Sequence, residues 1–181
     1  GATFSDEDLI KLMKGVYRYS VDNLSVIIDR AIKNKIPMVA LFPNTNIKLK
    51  DKSGSEALNE NNLVSKAIVK IKKRYNNKIG IMCDVALDPY TTHGHDGILE
   101  KNEILNDKTI EILIKQSLLQ AQMGCDVIAP SDMMDGRIGE IRKELDKNGY
   151  QNIQLLSYAV KYSSSFYGPF RDAVGSKKAL Q

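Results

Sequence analysis

Four short apolar runs punctuate the chain at 37–42 (PMVALF), 78–85 (KIGIMCDV), 125–131 (CDVIAPS) and 152–160 (NIQLLSYAV), and each has the length and composition of a strand buried on both faces. Helical spacing fills the intervals. Leu24, Ile27, Ile28, Ala31 and Ile32 share one face of a helix over 21–34, and Val64, Ala67, Ile68 and Ile71 share one over 62–74. A third helix, N-capped by Asp107, sets Ile110, Leu113, Ile114, Ser117, Leu118 and Ala121 at helical spacing and ends at a Gly124 C-cap. A fourth covers 136–147 and stops at Asn148-Gly149, and a short one after Ser5 runs through Asp8 and Leu12 ahead of them all.

Strand followed by helix, repeated, implies right-handed crossovers and a parallel α/β sheet, either open and doubly wound or part of a (β/α)8 barrel. An open nucleotide-binding sheet calls for a glycine-rich turn after an early strand. PMVALF is followed instead by PNTNIKLK, and neither a G-x-G-x-x-G nor a G-x-x-x-x-G-K-[ST] motif occurs. The polar residues favour the barrel, because they gather just past three strand ends: Asp84, Asp88, Tyr90, His93, His95 and Asp96; then Ser131, Asp132 and Asp135; then Lys161. In barrels that rim carries the chemistry.

Composition narrows the field. With 181 residues, 43% of them apolar and 27% charged, the chain is expected to be one domain, 1–181. The net charge of +4 comes from scattered lysines, which argues against nucleic acid, and no apolar stretch reaches membrane-spanning length. The acidic start GATFSDEDLI does not read as a targeting segment. Cys83 and Cys125 lie in strand-like runs and are expected to be buried free thiols in a reducing compartment.

Three clusters carry candidate chemistry. If 152–161 is extended, Ile153, Leu155, Ser157, Ala159 and Lys161 share a face. A lysine there, among Tyr158, Tyr162 and Phe166, would be partly desolvated, and a neutral amine forms a Schiff base with a ketone. The same pattern fits a lysine emerging into solvent. GPFR (168–171) shifts the balance by offering a tight turn and a guanidinium, Arg171, that can grip a carboxylate. The loop CDVALDPYTTHGHDG (83–97) could hold a hard cation such as Mg2+ through its carboxylates, or be a polar loop with Asx turns. In PSDMMDGR (130–137), Ser131 or Asp132 could cap the next helix, or Asp132 could face the site.

Taken together, CDVALDPYTTHGHDG, APSDMMDGRIGEIR and SYAVKYSSSFYGPFRDA, with GVYRYSVDNL, ALFPN and GSEALN, resemble the porphobilinogen synthase (5-aminolevulinate dehydratase) family over nearly the whole chain. The resemblance implies a TIM-barrel lyase, usually a homo-octamer, that condenses two 5-aminolevulinate molecules into porphobilinogen for haem and other tetrapyrroles. It makes Lys161 one of two Schiff-base lysines and Asp84 an active-site aspartate. Arg171 becomes the carboxylate-binding arginine, and the serine and phenylalanine positions around 165–166 belong to the same signature; Ser131, Asp132 and Tyr167 are taken as further candidate substrate-binding residues.

Ala86, Asp88 and Asp96 stand where the zinc-type pattern has three cysteines, so no zinc site built from three thiolates can form. The loop resembles the aspartate-rich type of plants and apicomplexan parasites, with Asp88 and Asp96 the candidate Mg2+ ligands. A plastid-like organelle or the cytoplasm is implied. Four βα units are expected, an incomplete barrel without the N-terminal arm, the first strand and the strand bearing the second lysine. Such a segment is expected to be inactive alone. The alternatives are a non-catalytic truncated protomer acting as an assembly partner and a Schiff-base aldolase on the same barrel.

Overall fold

The computed structural model describes residues 7–9, 15–162, 164–165 and 167–174, the first three and last four of these as backbone. Strand β1 (Glu7–Leu9) pairs antiparallel with β2 (Tyr17–Tyr19), Asp8 opposite Arg18. The expected helix through Asp8 is therefore replaced at 7–9 by a strand, because a partner at 17–19 supplies the backbone hydrogen bonds that a helical turn would have made. Leu12 lies outside the described residues.

The main body is a parallel sheet of β3 (Met38–Leu41), β4 (Gly80–Val85), β7 (Val127–Pro130) and β8 (Gln154–Leu155), in that order. Helices α1 (Leu24–Lys33), α2 (Leu63–Tyr75), α3 (Asn106–Met123) and α4 (Arg137–Lys147) pack side by side in the same sequence. A small hairpin, β5 (Leu99–Glu100) with β6 (Glu103–Ile104), precedes α3. Strand order that follows chain order, with no reversal, is the arrangement of a barrel wall; a doubly wound sheet would show a switch point. Four βα units of such a wall are present, as expected.

The helices cover one face only. Along β4, Ile81, Cys83 and Val85 are fully buried against them, together with Ile28, Ile68, Ile71, Leu113, Ile128, Ile141 and Leu145. Gly80, Met82 and Asp84 alternate onto the other face and are half-buried. Only β7 is buried at every position, so β3 and β4 depart from the expectation of two covered faces. Both cysteines are free and buried, as expected.

Helix ends differ in detail. Gly124 closes α3 in the left-handed conformation at φ 103°, as its position predicts. Asp107, however, is inside the first turn and Leu105 takes the N-cap position; Asp107 still meets the positive end of the helix dipole from there. Helix α4 starts from Gly136 at φ 79°, so neither Ser131 nor Asp132 caps it.

The fourth strand is far shorter than its apolar run. Strand β8 pairs Gln154 with Val127 and Leu155 with Ile128, Leu156 donates to the Ile128 carbonyl at 2.9 Å, and regular pairing ends. In that register the next donor toward β8 is residue 130, and Pro130 has no N–H. Residues 156–161 are therefore irregular, and Lys161 is exposed, not the last residue of a strand. Helix α5 (Tyr167–Val174) follows, so GPFR is helical and not a tight turn; Pro169 is tolerated in a first turn whose N–H groups have no intrahelical acceptors.

Candidate active site

The C-terminal ends of β4 and β7 bring the site together. Alternation along β4 turns Asp84 away from the helices, and the ladder sets it opposite Ala129, two residues before Ser131. The Ser131 N–H donates to the Val85 carbonyl at 3.1 Å, and its side chain is near enough to the Asp84 carboxyl to favour the charged form. Asp84 Oδ1 is buried with no hydrogen-bond partner among the described residues. Burial pushes this carboxyl up to about 7, against the pull of Ser131; Asp88 adds to the rise and the Lys161 charge opposes it.

Asp132 follows at the end of β7, 1% exposed. Its Oδ1 accepts from the Met134 N–H at 2.8 Å, forming an Asx turn, and its Oδ2 lies 3.0 Å from Arg137 Nε. Arg137 Nη1 donates to the Met134 carbonyl at 3.0 Å and completes the clamp. Burial raises Asp132 to about 6 in spite of the Met134 amide and Arg137; Asp96 raises it further and Lys161 draws it down. Lys161 thus acts electrostatically on both carboxyls, although its residue is exposed. Tyr158 is half-buried, and burial together with the Asp84 charge raises its phenol. Tyr162 is 81% exposed and cannot help desolvate the amine, contrary to expectation, and Phe166 lies outside the described residues.

The 83–97 loop is a packed rim. Ala86, Leu87, Tyr90 and Thr91 are buried, and the N–H groups of Tyr90 and Thr91 both donate to the Leu87 carbonyl at 2.9 Å. The histidines hold the loop itself: His93 Nδ1 accepts from the His95 N–H, and His93 Nε2 lies 3.2 Å from the Lys52 carbonyl. His95 Nδ1 lies 3.0 Å from both the Gly97 nitrogen and Asp96 Oδ1. An unprotonated nitrogen accepts from Gly97, a protonated one donates to Asp96, and it serves one partner at a time.

Among the described residues no three of His, Cys, Asp and Glu gather closely enough to hold a metal ion. Asp88 and Asp96 are near different neighbours, Asp84 and Lys50 for the first, His95 and Asp132 for the second. Lys50 is a residue that the sequence pattern did not single out. Burial lowers its amine and Asp88 opposes that shift, which puts a cation beside the aspartate loop.

Arg171 falls on α5, with its side chain outside the described residues. Tyr167 opens that helix, donates its N–H to the Ser164 carbonyl at 3.1 Å and is 42% exposed. Phe170 instead meets Phe42, just past β3, edge-on with centroids 5.4 Å apart.

This geometry can be set beside known proteins. A model of the delta-aminolevulinic acid dehydratase family matches residues 3–181. The chain belongs to that family. It is 55% identical over 171 residues to delta-aminolevulinic acid dehydratase of Bradyrhizobium diazoefficiens, covering 94% of this chain and 48% of the relative. The chloroplastic delta-aminolevulinic acid dehydratase 1 of Arabidopsis thaliana is 52% identical over 150 residues, 79% of this chain and 35% of the relative.

Among solved structures, that of the Toxoplasma gondii delta-aminolevulinic acid dehydratase (porphobilinogen synthase), in complex with the reaction product porphobilinogen, superposes with a TM-score of 0.91 at 39% identity. The match covers 96% of this chain and 49% of that one. The chain therefore spans half or less of the length of each of these three relatives. Its four-stranded sheet is an incomplete barrel wall of the same fold.

Proposed function

We propose that this chain carries one of the two lysine-centred halves of a porphobilinogen synthase, with Lys161 forming an imine with 5-aminolevulinate. The observation that carries the reading is the pairing of one amine with two carboxyls, Asp84 and Asp132, that burial has moved to about 7 and about 6. A group that titrates near the working pH can both give and take a proton.

In the proposed step the neutral Lys161 amine attacks the substrate ketone, a C–N bond forms, and one of the amine protons passes to the ketone oxygen. The carbinolamine then loses that oxygen as water, with Asp84 delivering the second proton and its carboxylate taking back the proton that the nitrogen gives up as the C=N bond forms. Ser131 holds the Asp84 carboxyl, and Asp132, pinned by Arg137 and the Met134 amide, presents a second acid across the mouth. Arg171 takes the substrate carboxylate on this reading.

The porphobilinogen in the Toxoplasma relative supports the choice of substrate. Magnesium at the aspartate loop would be held by Asp88 or Asp96 largely through water, since no three-ligand group forms among the described residues; no step above depends on it. The family resemblance supports a homo-octamer, and the chloroplastic relatives support a plastid-type compartment.

Borohydride reduction in the presence of 5-aminolevulinate, followed by peptide mapping, tests the reading. A reduced adduct on Lys161 is expected from the 181-residue chain, with no porphobilinogen released, because the second Schiff-base lysine is not within it. No adduct on Lys161 would remove the assignment.

A further inference from the structure

Asp84 sits where the backbone ladder runs out of donors. In the parallel β3–β4 pair Met38 faces Gly80 and Leu41 faces Cys83, and the Gly80 N–H donates to the Pro37 carbonyl at 2.8 Å. Continuing that alternation, the carbonyls of residues 80, 82, 84 and 86 turn toward β3. The ladder donor for the Asp84 carbonyl is then the N–H of residue 43. That residue is Pro43, which has none.

Gln120 fills the vacancy from another element. Its Nε2, on α3, donates to the Asp84 carbonyl at 2.9 Å, and one turn earlier Gln116 Nε2 reaches the Ala86 carbonyl at 3.4 Å. Both glutamines are nearly inaccessible, 3% and 1% exposed, and neither Oε1 has a hydrogen-bond partner among the described residues. Burying an amide with half its hydrogen-bonding capacity unmet is costly, and a leucine or methionine would pack the same space without that cost. What the amide supplies is the donor that β3 cannot. The Asp84 side chain needs it, for among the described residues its Oδ1 has no partner and Ser131 is the neighbour that draws on the carboxyl, so its aim is set largely by its own peptide plane.

We propose that Gln120 is a positioning residue: by bonding the Asp84 carbonyl in place of the missing Pro43 donor, it fixes the direction in which the Asp84 carboxyl meets Ser131 and the Lys161 amine. This rests on the reading of Asp84 as the proton-transfer group of imine formation.

The test uses borohydride trapping on Lys161 as a function of 5-aminolevulinate concentration in the 181-residue chain. Asp84→Asn is expected to lower the maximal trapping rate by roughly 100-fold or more. Gln120→Met, of similar volume without a donor, is expected to lower it by roughly 10- to 100-fold while the half-saturating concentration stays put. Pro43→Ala in the Gln120→Met background returns a backbone donor and is expected to recover most of the loss, a rescue that a purely packing role would not produce.

If Asp84→Asn traps at the unsubstituted rate, the reading of Asp84 falls and the inference with it. If Asp84→Asn is slow but Gln120→Met is not, the inference alone is overturned. Should Gln120→Met fail to fold, the scalar coupling across the hydrogen bond from Gln120 Nε2 to the Asp84 carbonyl, measured by NMR in the unsubstituted chain, decides: a coupling supports the contact, and its absence overturns the proposal.

Discussion

Arg137 Nε lies 3.0 Å from Asp132 Oδ2, and the aspartate side chain is wholly inaccessible while that of the arginine is 14% exposed. A pair this enclosed behaves unlike a surface ion pair, because removing one partner strands the other charge away from water. Arg137→Met is expected to destabilise the chain by about 3 kcal/mol at pH 7.5. The cost should shrink below pH 6, where Asp132, already raised to about 6, takes up a proton and no longer needs a counter-charge. Urea melts at pH 5 and 7.5 measure the difference; equal losses at both pH values would show that the pair does not matter electrostatically.

Asp84 gives folding a pH dependence of unusual sign. Its folded value of about 7 lies above the ordinary 3.8, so between those values the folded chain holds a proton that the unfolded chain has released. Stability from this group is therefore greatest below about pH 4 and declines as pH rises toward 7. Asp84→Asn is expected to remove that decline and to stabilise the chain at pH 7 by a few kcal/mol at most. Thermal melts of the two forms across pH 4–8 should converge at the acid end. A constant offset would refute the shifted carboxyl.

At the other end of the sheet Asp126 does two jobs. Both its oxygens take the Lys72 ammonium at 2.8 Å, and Oδ2 also accepts the Ile81 N–H at 2.7 Å as β4 begins. The ion pair is partly solvated, so Lys72→Met should cost less than about 1 kcal/mol. Asp126→Ala orphans the Ile81 amide as well and should cost about 2 kcal/mol. Similar denaturation midpoints for the two variants would deny the backbone role.

Helices α1 to α4 and the first three strands of the main sheet were readable because their periodicities coincide with what tertiary packing requires. The Ile28, Ile68 and Leu113 positions fall where spacing puts them. Helix α3 shows the limit: its buried side includes Thr109, Gln116 and Gln120, while Ile114 and Leu118 are only half-buried. Hydropathy ranks a glutamine below an isoleucine, and only the strand it serves explains the reversal. An i, i+4 glutamine pair within an apolar helix was the available signal.

Of the candidate site, Asp84, Ser131, Asp132 and Lys161 were singled out by their place at or after apolar runs, and the structure sets Asp84, Asp132 and Lys161 within electrostatic reach of one another. Lys50 was not, since a lysine in a polar loop looks like any other until the fold carries it to Asp88. The run at 152–160 misled because apolar composition says nothing of whether a neighbouring strand still has donors to offer.

That last point reaches beyond secondary structure. A single cyclised residue, Pro130, marks the selvage at which the weave of this edge stops, and Lys161 hangs beyond it. How far the Lys161 amine stands from the fabric is thus decided on a different strand from its own. A Pro130→Val exchange that let the stitching run on would shorten that free thread, and the Lys161 amine would shift relative to Asp84 and Asp132 without any change to those three residues.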